Sequence, residues 1–342
     1  MLPIALDVLG GDQAPDAIVR GAVRAVAELD VDVLLVGPRE VVERSLRTTG
    51  GEETSRLQIV DAPDVIAMDE HPAAAVRAKP QSSIVRSCAL VAEGRAAAGV
   101  SAGNSGAMLA AALFTIKRIR GVARPAIGAS FPTAGGSTFI LDVGANTDCK
   151  AEWMAQFAVM GDVYARTMLG VERPRVALLS NGEEAEKGSE LVQAAHPLMQ
   201  ALPLHFVGNV EGKDMFKGLC DVVVTDGFTG NVVLKTAEGI GEFLFATIAT
   251  EARKSVTGTI GGALLRPKLR PLRDKVDYRK TGGALLLGVA GEVVIAHGRS
   301  DAEAIVNAIR VARDAASRDV SGTIATAMSS HAVEPATQEI LR

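Results

Sequence analysis

A short aliphatic run, a polar glycine-rich turn and a helical segment follow one another repeatedly along this chain. "PIALDVLGGDQAPDAIVRGAVRAVAEL" is the first copy and "DVLLVGPREVVERSLRTT" the second. Further copies start at "FILDVGANTD", "RVALLSNGEEAEKGSELVQAA", "LHFVGNVEGKD", "DVVVTDGFTGNVVLKTAEGI" and "GEVVIAHGRSDAEAIVNAIRVA". Apolar runs of about four to six residues alternating with helices indicate βα units. The expected fold is therefore α/β, around a mostly parallel sheet buried on both faces.

The length of 342 residues allows one large α/β domain or two ordinary ones, and no low-complexity linker divides it, so a single domain over 1–342 is expected. With 35 glycines and only 4% aromatic residues, the core is built from Ala, Val, Ile and Leu and crossed by tight turns. A net charge of −4 makes no case for nucleic-acid binding. Three distant cysteines, Cys88, Cys149 and Cys220, form no C-x-x-C and no metal-like grouping, which fits a reduced, intracellular chain. The start, "MLPIALDVLGGD", has no basic flank and meets an acid at Asp7, so no signal peptide is expected. The longest apolar stretch, "GGALLLGVAGEVVIAHG", is cut by Glu292 and by glycines and is too short to span a bilayer.

One region breaks the pattern. Between 239 and 282 the strand signal is absent, and two helical stretches flank "TGTIGG". Ile240, Phe243, Leu244, Ile248, Ala252, Val256 and Ile260 keep three-to-four spacing, which places them on one apolar stripe. Between Thr250 and Gly282 nine Lys or Arg face three acids, a local charge of +6 against −10 for the rest of the chain. A projecting, basic, amphipathic helical insertion is expected here.

In open parallel sheets, ligands bind at the carboxyl ends of strands. Asp7, Gly11 and Asp12; Gly103, Asn104, Ser105 and Gly106; Asp142 and Asn146; Lys187; Asn209; and Asp226 and Asn231 all follow aliphatic runs. Asn and Asp at such places also make Asx turns and helix N-caps. Cofactor fingerprints are missing: there is no G-x-x-x-x-G-K-[ST] and no strict G-x-G-x-x-G after a strand. "GNSGA" approaches the G-x-S-x-G elbow of serine hydrolases but has Ala107 where the last glycine belongs, which weakens Ser105 as a nucleophile with His297 as base. What remains is a strand-to-helix turn suited to an anion, with Gly103, Asn104, Ser105 and Gly106 as the expected phosphate-binding residues.

The motifs "LDVLGGDQAP", "SAGNSGA", "LDVGANTDCK", "NGEEAEKGSEL", "GNVEGKD", "DGFTGNVVLKTAEG" and "GGALLLGV", in this order, make the chain resemble the bacterial phosphate acyltransferases of phospholipid synthesis, the PlsX family of acyl-carrier-protein:phosphate acyltransferases. The resemblance runs from about Ile4 to Arg310; the family usually has Ala-Met at Val8-Leu9, Thr at Ser105 and Pro at Ala151. It implies a three-layer α/β/α sandwich similar to isocitrate and isopropylmalate dehydrogenases and phosphotransacetylase. It also implies attack of inorganic phosphate on a fatty acyl thioester of acyl carrier protein, with no metal and no cofactor, in a homodimer that associates peripherally with the inner face of the cell membrane.

Such a reaction needs a cation and an oxyanion donor. Lys187, which the resemblance marks as functional, and Asn231 are the expected pair, with His297 as a candidate proton donor to the leaving thiolate. Asp7, Gly11, Asp12, Asp142, Asn146, Asn209 and Asp226 are expected to shape and orient the pocket. Cys149 beside Lys150 would offer an acyl-enzyme route, which direct attack by phosphate does not require. Arg253, Lys254, Arg266, Lys268, Arg270 and Arg273 suit an acidic carrier protein, and Leu264 and Leu265 suit a lipid surface. Two alternatives stay open: a phosphotransacetylase-like enzyme using acyl-CoA, and a non-catalytic phosphate-binding membrane scaffold.

Overall fold

The computed structural model describes residues 1–133, 135–276, 280 and 282–330; of 269–276 it describes the backbone alone. The strands are β1 (Ile4–Asp7), β2 (Val33–Gly37), β3 (Leu57–Asp61), β4 (Ala98–Ser101), β5 (Ala126–Thr133), β6 (Gly136–Leu141), β7 (Val176–Ser180), β8 (Phe206–Glu211), β9 (Val222–Val224), β10 (Ala284–Leu287) and β11 (Glu292–Ile295). The helices are α1 (Asp16–Leu29), α2 (Arg39–Thr49), α3 (Pro72–Ala78), α4 (Ser83–Ala92), α5 (Ser105–Thr115), α6 (Ala151–Leu169), α7 (Glu190–Gln200), α8 (Gly227–Ala252), α9 (Val256–Val276), α10 (Ala302–Ser317) and α11 (Val320–Ser330).

All eleven strands join one sheet in the order β3-β2-β1-β4-β11-β10-β5-β6-β9-β7-β8. Side chains from α1, α6, α7, α10 and α11 close one face over Leu6, Val100, Leu141 and Leu178. Those of α3, α4, α5 and α8 close the other over Ile127, Ile140, Val223 and Ile295. This is the three-layer α/β/α sandwich. Because strand residues are buried alternately against each layer, the runs carry apolar residues at consecutive positions, as at 4–6 in β1 and 33–36 in β2.

The middle of the sheet differs from a simple parallel array. β10 pairs antiparallel with β11 and with β5, and β5 antiparallel with β6. Three reversals leave β6, β9, β7 and β8 running opposite to β3, β2, β1, β4 and β11. The carboxyl ends of the two halves therefore lie at opposite edges of the sheet. Strand-end residues of both halves nevertheless meet over the middle of the sheet, Ser105 and His297 from one half and Val143, Gly144 and Asn231 from the other.

The helical insertion also differs in detail. α8 begins at Gly227, so the helix of the βα unit runs without a break into the projection. The chain then reverses at Arg253–Ser255, and α9 packs on α8. "TGTIGG" is not the tip: it lies inside α9, because Ser255 Oγ accepts from the Gly258 N–H at 2.9 Å and caps the helix ahead of it. The single stripe is accordingly split over two helices. Phe243, Ile260 and Leu264 are 65%, 57% and 74% exposed, so the hairpin carries apolar surface that the described residues leave uncovered. Among them, no helix is long and apolar enough to cross a membrane.

Candidate active site

A cavity of about 380 Å³ opens over the face of β5, β10 and β11, where the two halves of the sheet meet. Its walls are mainly apolar, from Ile127, Phe131, Val143, Leu234 and Ile295. Phe131 and Phe216 meet edge to face at 6.0 Å along it. Ser105, Asn231, Lys235, Glu238 and His297 give it polar edges. A mostly apolar hollow with a few convergent polar groups is the usual form of a small-molecule site.

α8 delivers two of those groups. Asp226 caps it, with Oδ1 accepting from the Thr229 N–H at 2.8 Å, and this is the position's structural role. The helix start is pressed onto the loop after β6, where Gly227 N–H donates to the Asn146 carbonyl at 2.7 Å. That loop is organised by Asp142. Its carboxylate accepts from the backbone N–H groups of Ile127, Gly144, Ala145 and Asn146 and from Asn146 Nδ2. Gly230 is required because a Cβ there would stand 1.9 Å from the Asp142 carbonyl oxygen. Asn231 follows directly, its Nδ2 near the bare Gly144 backbone. Lys235 comes one turn later on the same helix face.

His297 follows β11. Its Nε2 lies 3.2 Å from Lys235 Nζ, which also pairs with Glu238 at 2.8 Å. Burial, and then the charge of Lys235, lower the His297 pKa from its ordinary value. Gly11 and Asp12 lie beside this segment, with the Asp12 N–H donating to the Gly298 carbonyl at 2.8 Å.

The turn after β4 has a different use from the expected one. Gly103 lies against the backbone of Gly10, 3.2 Å from the position of a Cβ, so the small residues admit the neighbouring loop. The Gly103 N–H donates to Ser101 Oγ, which in turn donates to the buried Asp7 at 2.6 Å. Asp7 is 1% exposed and its pKa is raised by that burial, so it braces the loop from beneath rather than facing a ligand. Asn104 caps α5 through Oδ1 and spends its amide N–H groups on the carbonyls of Met68 and Glu70. Gly106 faces Pro72. Of these four residues, Ser105 is the one on the cavity wall.

Lys187 follows β7 and Asn209 lies in β8, in the half of the sheet that also carries the Asp142 loop and Asn231, but neither lines the cavity. Lys187 lines a separate recess with Asn181, Gly182, Glu183, Glu184 and Glu211, and Asn209 Nδ2 donates to the Glu184 carbonyl at 2.7 Å. The recess is acidic, and the carboxylates of Glu183, Glu211 and Asp214 come within 4.8 Å of one another. Cys149 lies behind Asp142 and Asp226. Burial above all, with those carboxylates, pushes its thiol up to about 12, so no thiolate is available for an acyl-enzyme. Arg253, Lys254, Leu264, Leu265, Arg266 and Lys268 are on the hairpin, and all but Arg253 and Lys254 sit on α9. The side chains of Arg270 and Arg273 lie outside the described residues.

The sequence reading passed over Lys235 and Glu238, and the β5 wall. Its one usable signal was spacing: Lys235 stands four residues after Asn231 inside the motif "DGFTGNVVLKTAEG".

Comparison with known proteins bears on the whole chain. A family model described as fatty acid synthesis protein matches residues 2–323. The phosphate acyltransferase of Heliobacterium modesticaldum is 50% identical over 310 residues, covering 91% of this chain and 92% of that one. That of Synechocystis sp. is 48% identical over 329 residues, covering 95% and 94%. A phosphotransacetylase from Streptococcus pyogenes has a similar structure, with a TM-score of 0.64 at 18% identity over 96% of this chain and 94% of its own. A 4-hydroxythreonine-4-phosphate dehydrogenase from Klebsiella pneumoniae follows at 0.55 and 17%, over 92% and 100%. The two solved structures support the fold, and the sequence relatives carry the family: the chain is an acyltransferase that belongs to the phosphate acyltransferase family.

Proposed function

We propose that this enzyme moves a fatty acyl group from the thioester of acyl carrier protein to inorganic phosphate, giving acyl phosphate and the free thiol carrier. The observation that carries the reading is the cavity itself, whose apolar walls suit an acyl chain and whose polar edge gathers Ser105, Asn231, Lys235 and His297. A phosphate oxygen bonds to the carbonyl carbon, the C–S bond breaks, and sulfur leaves with the electron pair. His297 is the proposed proton donor to that thiolate, acting from its imidazolium form, whose lowered pKa makes it the stronger acid. Asn231 supplies a neutral donor to the oxyanion formed on the way. Lys187 keeps a proposed part in charge stabilisation on the strength of the family resemblance, from its own recess.

The acidic carrier docks on the basic hairpin, steered by Arg253, Lys254, Arg266 and Lys268, with Arg270 and Arg273 adding charge. The exposed apolar residues of the same hairpin, Leu264 and Leu265 included, rest on the inner face of the cell membrane, where the product is consumed. The working form is a cytoplasmic homodimer.

The test is incubation with palmitoyl-carrier protein and labelled phosphate. Label appearing in acyl phosphate, with release of free carrier thiol, is the expected result. Turnover with palmitoyl-CoA and none with the carrier would replace this reading with a phosphotransacetylase-like one.

A further inference from the structure

Three buried side-chain oxygens without a hydrogen-bond partner among the described residues stand where β7 and β8 end: Ser180 Oγ, Asn209 Oδ1 and Asp214 Oδ2. Asn209 and Asp214 are 8% and 3% exposed. The Asn209 amide is oriented by its other atom. The Glu184 carbonyl can only accept, so Nδ2 faces it at 2.7 Å and Oδ1 points away from it. Side chains two apart along a strand share a face, so Asn209 lies on the side of Glu211, which lines the acidic recess. Ser180 is the register partner of Glu211 on β7. Asp214 closes the turn after β8, its N–H donating to the Glu211 carbonyl at 2.9 Å. Its carboxylate does not cap the short helical turn Met215–Lys217, and Lys217 takes Oδ1 alone at 2.6 Å. Buried acceptors left in this way cost stability unless a ligand answers them. One carboxylate oxygen from each of Glu183, Glu211 and Asp214 lies within 4.8 Å of the other two. That matches the span across a calcium ion, whose oxygens sit at about 2.3–2.6 Å.

We propose that Glu183, Glu211 and Asp214, with the Asn209 amide oxygen as a further donor, hold a hard divalent cation of the calcium class. All the donors are oxygens, and three carboxylates in an irregular array suit calcium better than magnesium, which demands near-ideal octahedral geometry. Lys213 is the group that the ion displaces. It pairs with Glu211 Oε2, and its pKa is raised by Glu211 first, with Asp214 and Glu183 adding to the effect. Its side chain is 65% exposed, so it can swing into solvent. The ion is no reagent in the acyl transfer proposed above, and its binding does not rest on that reading. It ties the loop after β7 to the turn after β8, and so fixes the segment that carries Lys187.

The experiment titrates EDTA-treated, full-length protein with calcium chloride, and separately with magnesium chloride, by calorimetry, and follows thermal unfolding with and without calcium. One saturable calcium site with a Kd of about 10⁻⁴–10⁻³ M is expected, with weaker binding of magnesium. Calcium raises Tm, since the ion binds the folded chain and not the unfolded one. Glu183→Gln and Asp214→Asn each weaken binding about tenfold or more, and Lys213→Met tightens it by removing the competing ammonium. Glu183 is exposed, so its variant folds even where Asp214→Asn does not. Glu43→Gln on α2, at the opposite end of the sheet, is the charge control and changes nothing. No saturable calcium binding up to about 10⁻² M, or equal affinity in wild type and folded Glu183→Gln, would overturn the proposal. Acyl phosphate formation is measured apart, so its failure counts against the acyl transfer and not against the ion.

Discussion

Replacing Gly230 by alanine should cripple turnover while sparing the fold. The new Cβ would start 1.9 Å from the Asp142 carbonyl oxygen and 2.9 Å from Thr225 Cγ2, where ordinary contact begins at 3.4 Å. The first shortfall, about 1.5 Å, is with backbone, so no side-chain rotation relieves it. The Asp142 segment is held by its carboxylate's contacts with Ile127, Gly144 and Asn146, and by its own N–H on the Thr225 carbonyl. The start of α8 must therefore lift, and Asn231 lifts with it. Overpacking of this kind costs about 1–3 kcal/mol. A displacement of roughly 1 Å at a positioning residue costs on the order of a hundredfold in rate. Gly241→Ala on the same helix is the control, since nothing lies within 4 Å of its Cβ position, and it should gain up to about 1 kcal/mol from helix propensity. Urea unfolding and steady-state acyl phosphate formation on the two variants separate the effects. A Gly230→Ala enzyme within about threefold of wild-type turnover would refute the reasoning that α8 is seated by this contact.

Asn231→Ala should lose about 2.7–4 kcal/mol of transition-state stabilisation, a hundred- to a thousandfold in kcat, and Lys187→Met should approach that range if its recess serves the reaction. A loss below tenfold in Lys187→Met would make that lysine part of an acidic surface cluster instead. Leu264→Glu with Leu265→Glu should release the protein from anionic vesicles in flotation while turnover in solution stays near normal; Arg266→Glu with Lys268→Glu should lower the association rate of the carrier and weaken its salt dependence. The lowered His297 pKa makes protonation unfavourable to the folded state, so its contribution to stability is complete above the unfolded value of 6.5 and is lost as pH falls through the folded pKa. Unfolding curves for wild type and His297→Gln should therefore run parallel above that pH and converge below it; parallel curves throughout would contradict this.

The sequence by itself determined the α/β class and most of the strands, because runs such as IALD, VLLVG and VALLS must be buried on both faces to avoid water. It also disclosed the family, through polar turns whose order is particular to it, and the hairpin, through charge and exposed apolar spacing. What it left to the tertiary structure was the middle of the sheet. β5, β6 and β10 pair antiparallel, and strand direction is decided by what each strand pairs with across the chain. Those reversals set β6 and β9 against the direction of β4 and β11, and the cavity forms where the loops of both halves meet, Val143, Gly144 and Asn231 from one and Ser105 and His297 from the other. Partner choice had the same character. Asn104 and Gly103 have the residue types of an anion turn, yet their donors are taken by Met68, Glu70 and Ser101 from distant or adjacent loops. Lys235 looked like one more helical lysine until β11 brought His297 within 3.2 Å of it. Local sequence specifies which groups a segment carries, but the packing of remote segments decides which of them find partners inside the protein and which are left to face a substrate.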